Sequence, residues 1–185
     1  MPQSAANDTL TGVLERIKYS NDEDGYLIAD LRTEKAKEPV VIVGKFPGVQ
    51  CGETLWIQGN WARHPTHGAQ FKGVSFESKL PASIYGIRKY LGSGLVKGVS
   101  KGLADRIVKH FERDTLRIIS EESARLQEVG GIGKQRARSI KIAWDEQSHI
   151  RDLSLFLVPY GVTPSQILKI YKEFGFMIRL HYHKY

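Results

Sequence analysis

The sequence predicts an α+β fold in which a small antiparallel β-barrel is followed by an all-α domain. Three observations lead to this prediction. The spacing of the apolar residues changes at Pro81, the balance of charge changes at the same place, and a glycine-containing segment occurs twice after it. We therefore expect a barrel over residues 1–80 and a helical domain over residues 81–185.

Five short runs rich in Val, Ile, Tyr, Phe and Trp lie in the first 80 residues. Several of them alternate apolar and polar residues, and turns that contain Gly, Pro or Asp separate them, as expected of half-buried strands. The runs cover residues 10–19, 26–32, 40–43, 54–61 and 70–79. Five such strands are typical of a small Greek-key barrel of the oligonucleotide-binding (OB) type.

Barrels of this type often bind single-stranded nucleic acid by stacking bases on aromatic side chains, although most barrel aromatics belong to the core. The candidates here are Trp56, Trp61, Phe71 and Phe76. His64 and His67 have a spacing that could suit a metal ion, but they lie in a Pro/Gly turn without a third ligand. We predict a turn at this place and no metal site. With Cys51 as the single cysteine, a disulfide framework and a thiolate cluster are excluded.

Apolar residues recur at helical spacing from Ser83 onward, and two segments of this region follow one plan. The segments align with an offset of 33 residues (131 minus 98), which places Gly131-Ile132-Gly133 over Gly98-Val99-Ser100. The same offset places Val129 on Val96, Ala137 on Ala104 and Ile140 on Ile107. Each copy predicts a short helix, a tight turn and a second helix that starts at once.

Glycines in such a turn let the backbone approach a ligand closely, and the helix that follows presents unpaired N–H groups at the positive end of its dipole. This is the helix-hairpin-helix pattern, whose tandem copies usually hold nucleic-acid backbones without reading sequence. The predicted DNA-backbone residues are Gly98, Lys101, Gly131, Ile132, Gly133, Lys134, Arg136 and Arg138. The alternative is that each turn only ends one helix and begins another.

A third copy of the pattern is incomplete. Tyr160-Gly-Val-Thr-Pro164 precedes an apolar stretch over residues 167–174, and the segment keeps Gly161 and Ile170. Ile167, however, replaces the small residue. This segment is either a third hairpin or a purely structural turn.

The charge is divided unevenly along the chain. Residues 1–80 contain 9 Lys/Arg and 10 Asp/Glu, a net of −1, whereas residues 81–185 contain 18 and 10, a net of +8; the two sum to +7. The asymmetry indicates a basic helical domain that faces a polyanion, with an unpartnered basic surface as the alternative. No apolar run has the length of a membrane span and the N-terminus is polar, so we expect a cytoplasmic protein without a membrane partner.

Specific segments also resemble a known family. In the barrel they are Leu-Thr-Gly-Val at residues 10–13, Gly-Val-Gln-Cys-Gly-Glu at 48–53, and Trp-Ala-Arg-His-Pro at 61–65 leading to Gly-Ala-Gln-Phe at 68–71. In the helical part they are residues 90–98, 131–134 and 144–147. Over residues 10–175 the chain resembles the N-terminal region of RecD/TraA-type bacterial DNA helicases. The resemblance implies a barrel and hairpins placed ahead of a two-lobed motor, which moves 5′ to 3′ on single-stranded DNA with ATP and magnesium in DNA repair or recombination.

Two departures limit what the resemblance implies. Ser100 stands where the family has a glycine in the first hairpin. No Gly-x-x-x-x-Gly-Lys-Ser/Thr occurs in the sequence, because residues 130–134 have the wrong spacing and lack the hydroxyl. Residues 177–185 do not resemble the family's continuation, as expected of a fragment or a truncated reading frame. We therefore predict no catalytic residue and no cofactor in this chain, with ATP and magnesium belonging only to a motor.

The preferred interpretation is a non-catalytic, sequence-independent DNA-binding region of a RecD-like helicase. Its expected partners are single-stranded or forked DNA, and a helicase motor or a replication or repair protein. One alternative is a RuvA-like protein that binds Holliday junctions, and another is a module that only docks proteins. A helix-hairpin-helix DNA glycosylase is disfavoured, because Gln135 stands where the lyase-active members have a lysine.

Overall fold

The computed structural model describes residues 8–182 of the backbone and the side chains of residues 8–175. Residues 1–7 and 183–185, and the side chains of the C-terminal segment that departs from the family, lie outside this description. The strands are β1 (Asp8–Asn21), β2 (Tyr26–Arg32), β3 (Val40–Lys45), β4 (Thr54–His64) and β5 (Gly68–Lys79). All five predicted strands are therefore present, and four of them are longer than the sequence pattern indicated.

The strands close into a barrel in the order β1-β2-β3-β5-β4, which confirms the predicted OB-like fold. The barrel is antiparallel at every pairing except one, since β3 and β5 run parallel, with Ile42 opposite Phe71 and Val43 opposite Lys72. The number of strands explains this pairing. In a closed ring of five strands, neighbours cannot all run in opposite directions because five is odd, so at least one neighbouring pair must be parallel.

Alternating residues fill the barrel. Leu55 and Ile57 of β4 are fully buried, whereas Trp56 between them points outward, as the period of two in a strand requires. The largest fully buried side chains of the barrel are Leu14, Leu31, Ile42, Leu55, Ile57 and Phe71. The barrel interior is therefore a packed core.

The second half of the chain contains helices α1 (Ile84–Gly92), α2 (Lys101–Phe111), α3 (Thr115–Glu121), α4 (Lys134–Leu157) and α5 (Pro164–Tyr182). Short 3₁₀ turns follow α2, α3 and α4. A single hydrophobic cluster, drawn from residues 87–144, joins the first four helices. Within the described part of the chain, no helix has both the length and the apolar character that crossing a bilayer would require.

The segment ahead of the second glycine turn is a short helix of the 3₁₀ type. It covers Ser123–Glu128 and leads directly into the turn. A 3₁₀ helix superimposes side chains three residues apart. Arg125 accordingly lies within ion-pair distance of both Glu122 (3.2 Å) and Glu128 (2.8 Å). This pairing favours the tighter helix over the few residues between α3 and the turn.

The barrel and the helices touch at a pair of glycines. Gly52, between β3 and β4, has φ +93°, and a Cβ atom at this position would overlap the carbonyl oxygen of Gly86 and the backbone of Tyr90 in α1. Only glycine supplies both the left-handed conformation and the missing side chain. The first helix therefore lies directly on the barrel backbone.

A buried ion pair also crosses this contact. Glu53 is fully buried, accepts a hydrogen bond from the Ser78 hydroxyl and pairs with Arg151 of α4, whose side chain is 16% exposed. The backbone N–H of Ser165 in α5 also donates to the Asp22 carbonyl of the barrel at 3.4 Å. The predicted domain boundary between residues 80 and 81 remains a prediction. The barrel and the helical part share polar contacts as well as close backbone contacts.

Candidate nucleic-acid interface

The two glycine turns have the same backbone conformation. We call residues 96–100 the first turn and residues 129–133 the second turn. The glycine in the middle of each has a positive φ, +91° at Gly98 and +86° at Gly131. The residue after it donates its N–H to the carbonyl of the turn's first residue, at 3.1 Å in the first turn and 3.0 Å in the second. The last residue of each turn caps the next helix, with φ −78° and ψ 165° in the first and φ −85° and ψ 173° in the second.

The aligned apolar residues of the two copies lie in one core. The pairs related by the 33-residue offset are all buried: Val96 and Val129, Val99 and Ile132, Ala104 and Ala137, Ile107 and Ile140. The predicted register of the repeat thus corresponds to equivalent positions in the structure. The buried side chains anchor each turn to the core, and the backbone of each turn lies at the surface.

The second turn offers four backbone donors. The first four N–H groups of a helix have no partner within the helix. At the start of α4 these belong to Gly133, Lys134, Gln135 and Arg136, and none of them has an acceptor among the residues that the structure describes. Because the capping residue is glycine, no side chain satisfies them. These N–H groups are available to an anion.

The first turn offers three free backbone N–H donors, one fewer than the second turn. The Ser100 hydroxyl accepts a hydrogen bond from the N–H of Leu103 at 3.3 Å, as a helix-capping serine does. The N–H groups of Ser100, Lys101 and Gly102 remain without an acceptor among the described residues. The departure noted at Ser100 therefore changes the number of free donors and leaves the backbone conformation unchanged.

The third turn, residues 159–163, offers no free backbone N–H group at the start of α5. Gly161 has φ +79°, as in the other turns. The N–H of Thr163 donates to the Gln166 side chain, and the N–H of Gln166 donates to the Thr163 hydroxyl, which is a capping box. Proline 164 has no N–H, and the next N–H donates to a carbonyl of the barrel. The third copy is a structural turn that attaches α5.

The predicted glycines are not equivalent. Gly131 has a positive φ, and a Cβ atom there would lie 3.0 Å from Nη1 of Arg106. Gly133 has an extended conformation that any residue can adopt, and a Cβ atom there would meet nothing within 4 Å. Ile132 is buried and its N–H is already donated within the turn, so the structure places this residue in the core. Gly133 is the position where a side chain alone would obstruct a ligand.

Cations around the two turns lack acidic partners. Lys101, Lys134 and Arg138 are exposed, and none has a carboxylate within ion-pair distance in the described part of the chain. Lys97 in the first turn has the same properties, and the sequence analysis did not select it. The first turns of α2 and α4 contain no acidic residue. Cations at the positive end of a helix are unfavourable unless an anion joins them.

Two arginines farther from the turns are paired with carboxylates. Arg117 pairs with Asp114 at 3.3 Å and also with Glu122, and Arg125 pairs with Glu128 at 2.8 Å. Hydrogen bonds from Arg125 and His110 hold the pKa of Glu128 below its usual range. Lys109 and Arg113, near the end of α2, have no carboxylate within ion-pair distance among the described residues, so unpaired positive charge lies at the turns and also at this end of α2.

Arg136 connects the two turns. Its guanidinium donates to the carbonyl of Gly131 and to the carbonyl of Gly98, each at 3.4 Å. Arg106 of α2 donates to the carbonyl of Gly130 at 2.7 Å. Both arginines thus hold the turns side by side, a role that sequence reasoning missed for Arg106. For Arg136, which was predicted to contact DNA, the structure shows contacts within the protein.

The aromatic candidates of the barrel divide into two groups. Phe71 is fully buried and Phe76 packs against the core, whereas Trp56 and Trp61 are exposed. In the predicted turn after β4, Nδ1 of His64 accepts hydrogen bonds from the backbone N–H groups of the second and third residues that follow, at 3.1 and 3.3 Å. Among the described residues, no group of three or more His, Cys, Asp or Glu could hold a metal ion.

Comparisons with known proteins agree with this architecture. Residues 7–81 match the family model of the OB-fold domain of the ATP-dependent DNA helicase YrrC. The chain is also 26% identical over 172 residues to the ATP-dependent RecD2 DNA helicase of Deinococcus radiodurans. This match covers 90% of the chain and 24% of the relative, so the chain spans about a quarter of that protein's length. The predicted resemblance to RecD-type helicases is thereby confirmed.

Proposed function

We propose that the chain is a non-catalytic, sequence-independent DNA-binding region of a RecD-like 5′ to 3′ helicase, with its two glycine turns forming a tandem helix-hairpin-helix phosphate site. The observation that carries the proposal is the set of free backbone N–H groups at the starts of α2 and α4, surrounded by cations without acidic partners. Hydrogen bonds from backbone N–H groups to phosphates position a strand without reading its bases. The resulting binding is independent of sequence.

The two turns act together in this proposal. One guanidinium, that of Arg136, reaches carbonyls of both turns, so the turns are close enough to contact neighbouring phosphates of one strand. Backbone donors supply the close contacts, and Lys97, Lys101, Lys134 and Arg138 supply the longer-range attraction. ATP and magnesium would serve a motor rather than this region. We place the protein in the cytoplasm, in DNA repair or recombination.

A protein-docking role is the second candidate, and an exposed apolar patch favours it. Phe156 in the last turn of α4 is 65% exposed, and Tyr160 in the 3₁₀ turn that follows is 75% exposed; their ring centroids lie 5.7 Å apart. Exposed aromatic pairs of this kind often mark protein contacts. Docking to a motor or a repair protein through this patch is compatible with DNA binding at the turns. RuvA-like junction binding instead requires a marked preference for four-way junctions over single strands and forks.

We expect the DNA-binding constant of the chain to fall as the salt concentration rises. Occupation of about three to five phosphates would give a slope of roughly −2 to −4 when the logarithm of the binding constant is plotted against the logarithm of the salt concentration. We expect this slope with two unrelated single-stranded oligonucleotides, which should bind equally well. Fluorescence anisotropy over a salt series measures both quantities. Salt-independent binding, or a large preference for one sequence, would contradict phosphate recognition.

The second prediction concerns charge at the turns. The change Lys134→Ala is expected to reduce the magnitude of the salt slope by roughly one, because it removes one phosphate contact. Lys101→Ala should have a smaller effect, because the first turn has one free donor fewer. Lys109→Ala, in the last turn of α2, is the control and should leave the slope unchanged. Equal slopes for all three variants and the unaltered chain would count against the proposed site.

A further inference from the structure

The end of the β4–β5 hairpin is basic, although the barrel as a whole is not. Residues 59–76 contain Arg63 and Lys72 and no Asp or Glu, whereas residues 1–80 together have a net charge of −1. The opposite holds at the turn between β1 and β2, where Asp22, Glu23 and Asp24 are adjacent in the sequence. That acidic turn also contacts α5. A polyanion approaching the barrel is therefore attracted to the β4–β5 hairpin and repelled from the β1–β2 turn.

The two cations at this end of the hairpin have no acidic partner among the described residues, whereas Arg16 and Lys18 in β1 do. Arg16 and Lys18 both pair with Asp30, at 2.9 and 2.5 Å. For Arg63 and Lys72, no carboxylate of the described residues lies within ion-pair distance. Their charge is not cancelled locally and is available to a ligand.

Trp61 lies on this hairpin with its ring partly exposed. It faces Phe71 across the pair of strands, with ring centroids 5.4 Å apart and planes at 79°. Phe71 is fully buried, whereas Trp61 is 52% exposed. The core therefore holds the indole in place, and about half of its surface remains free. A fixed aromatic ring loses little conformational entropy when a planar ligand stacks on it.

Arg63 lies on the same face of β4, because residues two apart in a strand point to the same side. The residue opposite Arg63 is Ala69, and β5 begins at Gly68. These small residues leave a shallow depression lined by Trp61, Ala62, Arg63, Gly68 and Ala69. An aromatic ring and a cation thus share one open surface.

We propose that Trp61 and Arg63 form a base-stacking site for single-stranded DNA, separate from the glycine turns. The site takes the face of an unpaired base on the indole and an adjacent phosphate at the guanidinium. A duplex does not fit this chemistry, because the faces of its bases are already stacked. The inference rests on the proposed DNA-binding function and extends it to the barrel.

The test uses the full chain and a short oligothymidine. Trp61→Ala is expected to weaken binding roughly tenfold without changing the salt slope, because stacking on a base neutralises no phosphate. Trp61→Phe, which keeps an aromatic ring beside Phe71, should restore most of the affinity. Trp56→Ala is the matched control, since Trp56 is exposed on the same strand but lies opposite Glu77. It should bind like the unaltered chain.

Tryptophan fluorescence provides a second measurement. The chain contains Trp56, Trp61 and Trp144, and the last is buried among the helices. Oligothymidine should quench the fluorescence of Trp56→Phe, which retains Trp61, and should leave that of Trp61→Phe nearly unchanged. Thermal melts verify that each variant is folded.

The outcomes separate this inference from the proposed function. If the chain binds with the expected salt slope but the Trp61 variants bind and quench like the Trp56 variants, the stacking site is wrong and the glycine turns stand. If Trp61→Ala weakens duplex binding as much as single-strand binding, the stacking site is likewise wrong. If the unaltered chain binds no single-stranded DNA, both proposals fail.

Discussion

Replacing Glu53 with glutamine is expected to lower the free energy of unfolding by about 3–5 kcal/mol, the usual cost of removing one partner of a buried ion pair. Glu53 is fully buried and accepts hydrogen bonds from Ser78 and Arg151, so its replacement leaves the largely buried guanidinium without its ion-pair partner. The two residues are 98 positions apart and join the barrel to α4. Urea unfolding at neutral pH measures the change.

A matched control removes an exposed pair. Arg88 and Asp105 lie 3.1 Å apart, with side chains that are 50% and 57% exposed. Asp105→Asn is expected to change stability by no more than about 1 kcal/mol. The double variant Glu53→Gln/Arg151→Met should recover part of the stability lost in the single variant, because no buried charge is then left unpaired. If Glu53→Gln is as mild as Asp105→Asn, the ion pair does not hold the two parts together.

The second large effect is expected at the second glycine turn. Gly133→Val should weaken DNA binding by at least about tenfold, because an isopropyl group beside the four free N–H groups blocks the approach of a phosphate, and hydrogen bonds to charged groups contribute about 1.5–3 kcal/mol each. The extended conformation of Gly133 accommodates valine, so the helix should still form. Gly131→Val would be less informative, because its positive φ and the nearby Arg106 add strain.

A reciprocal exchange between the turns sharpens this test. Gly133→Ser copies the first turn and should satisfy the N–H of Arg136, which weakens DNA binding and stabilises α4 by a few tenths of a kcal/mol. Ser100→Gly copies the second turn and should have the opposite effects. Anisotropy gives the binding constants, and circular dichroism with thermal melts gives the stabilities. If the folded Gly133 variants and Lys134→Ala all bind like the unaltered chain, the second turn is only a structural connection.

Local patterns were sufficient to predict most of the fold. Short apolar runs bounded by turn residues indicated every strand, and the 33-residue repeat indicated both glycine turns, because each signal is contained in a short segment. The parallel β3–β5 pair could not be predicted in this way, since alternation is the same in parallel and antiparallel strands. The Glu53–Arg151 pair also has no local signal. It depends on how the helices lie on the barrel.

Local sequence patterns were also insufficient to predict the roles of some single residues in the candidate site. The repeat correctly indicated which turns share a conformation, but the roles of Arg106 and Arg136 depend on contacts between turns that are distant in the sequence. The repeat gives no signal for Lys97, because the aligned residue in the other copy, Gly130, has no side chain. Ile132 belongs to the motif, but its alignment with the apolar Val99 indicates the core position that the structure shows.

In the three glycine turns, a backbone N–H group that is bonded within the helix cap is not available to a ligand. Where the capping residue is glycine, four donors stay free; where it is serine, three do; and where a capping box, a proline and a barrel carbonyl meet, none do. Each cap that makes a helix start more stable removes a donor from a ligand. A substitution that caps such a helix start therefore gains local stability and loses a donor, so copies of one turn can differ in their number of free N–H groups while the central glycine keeps its positive φ.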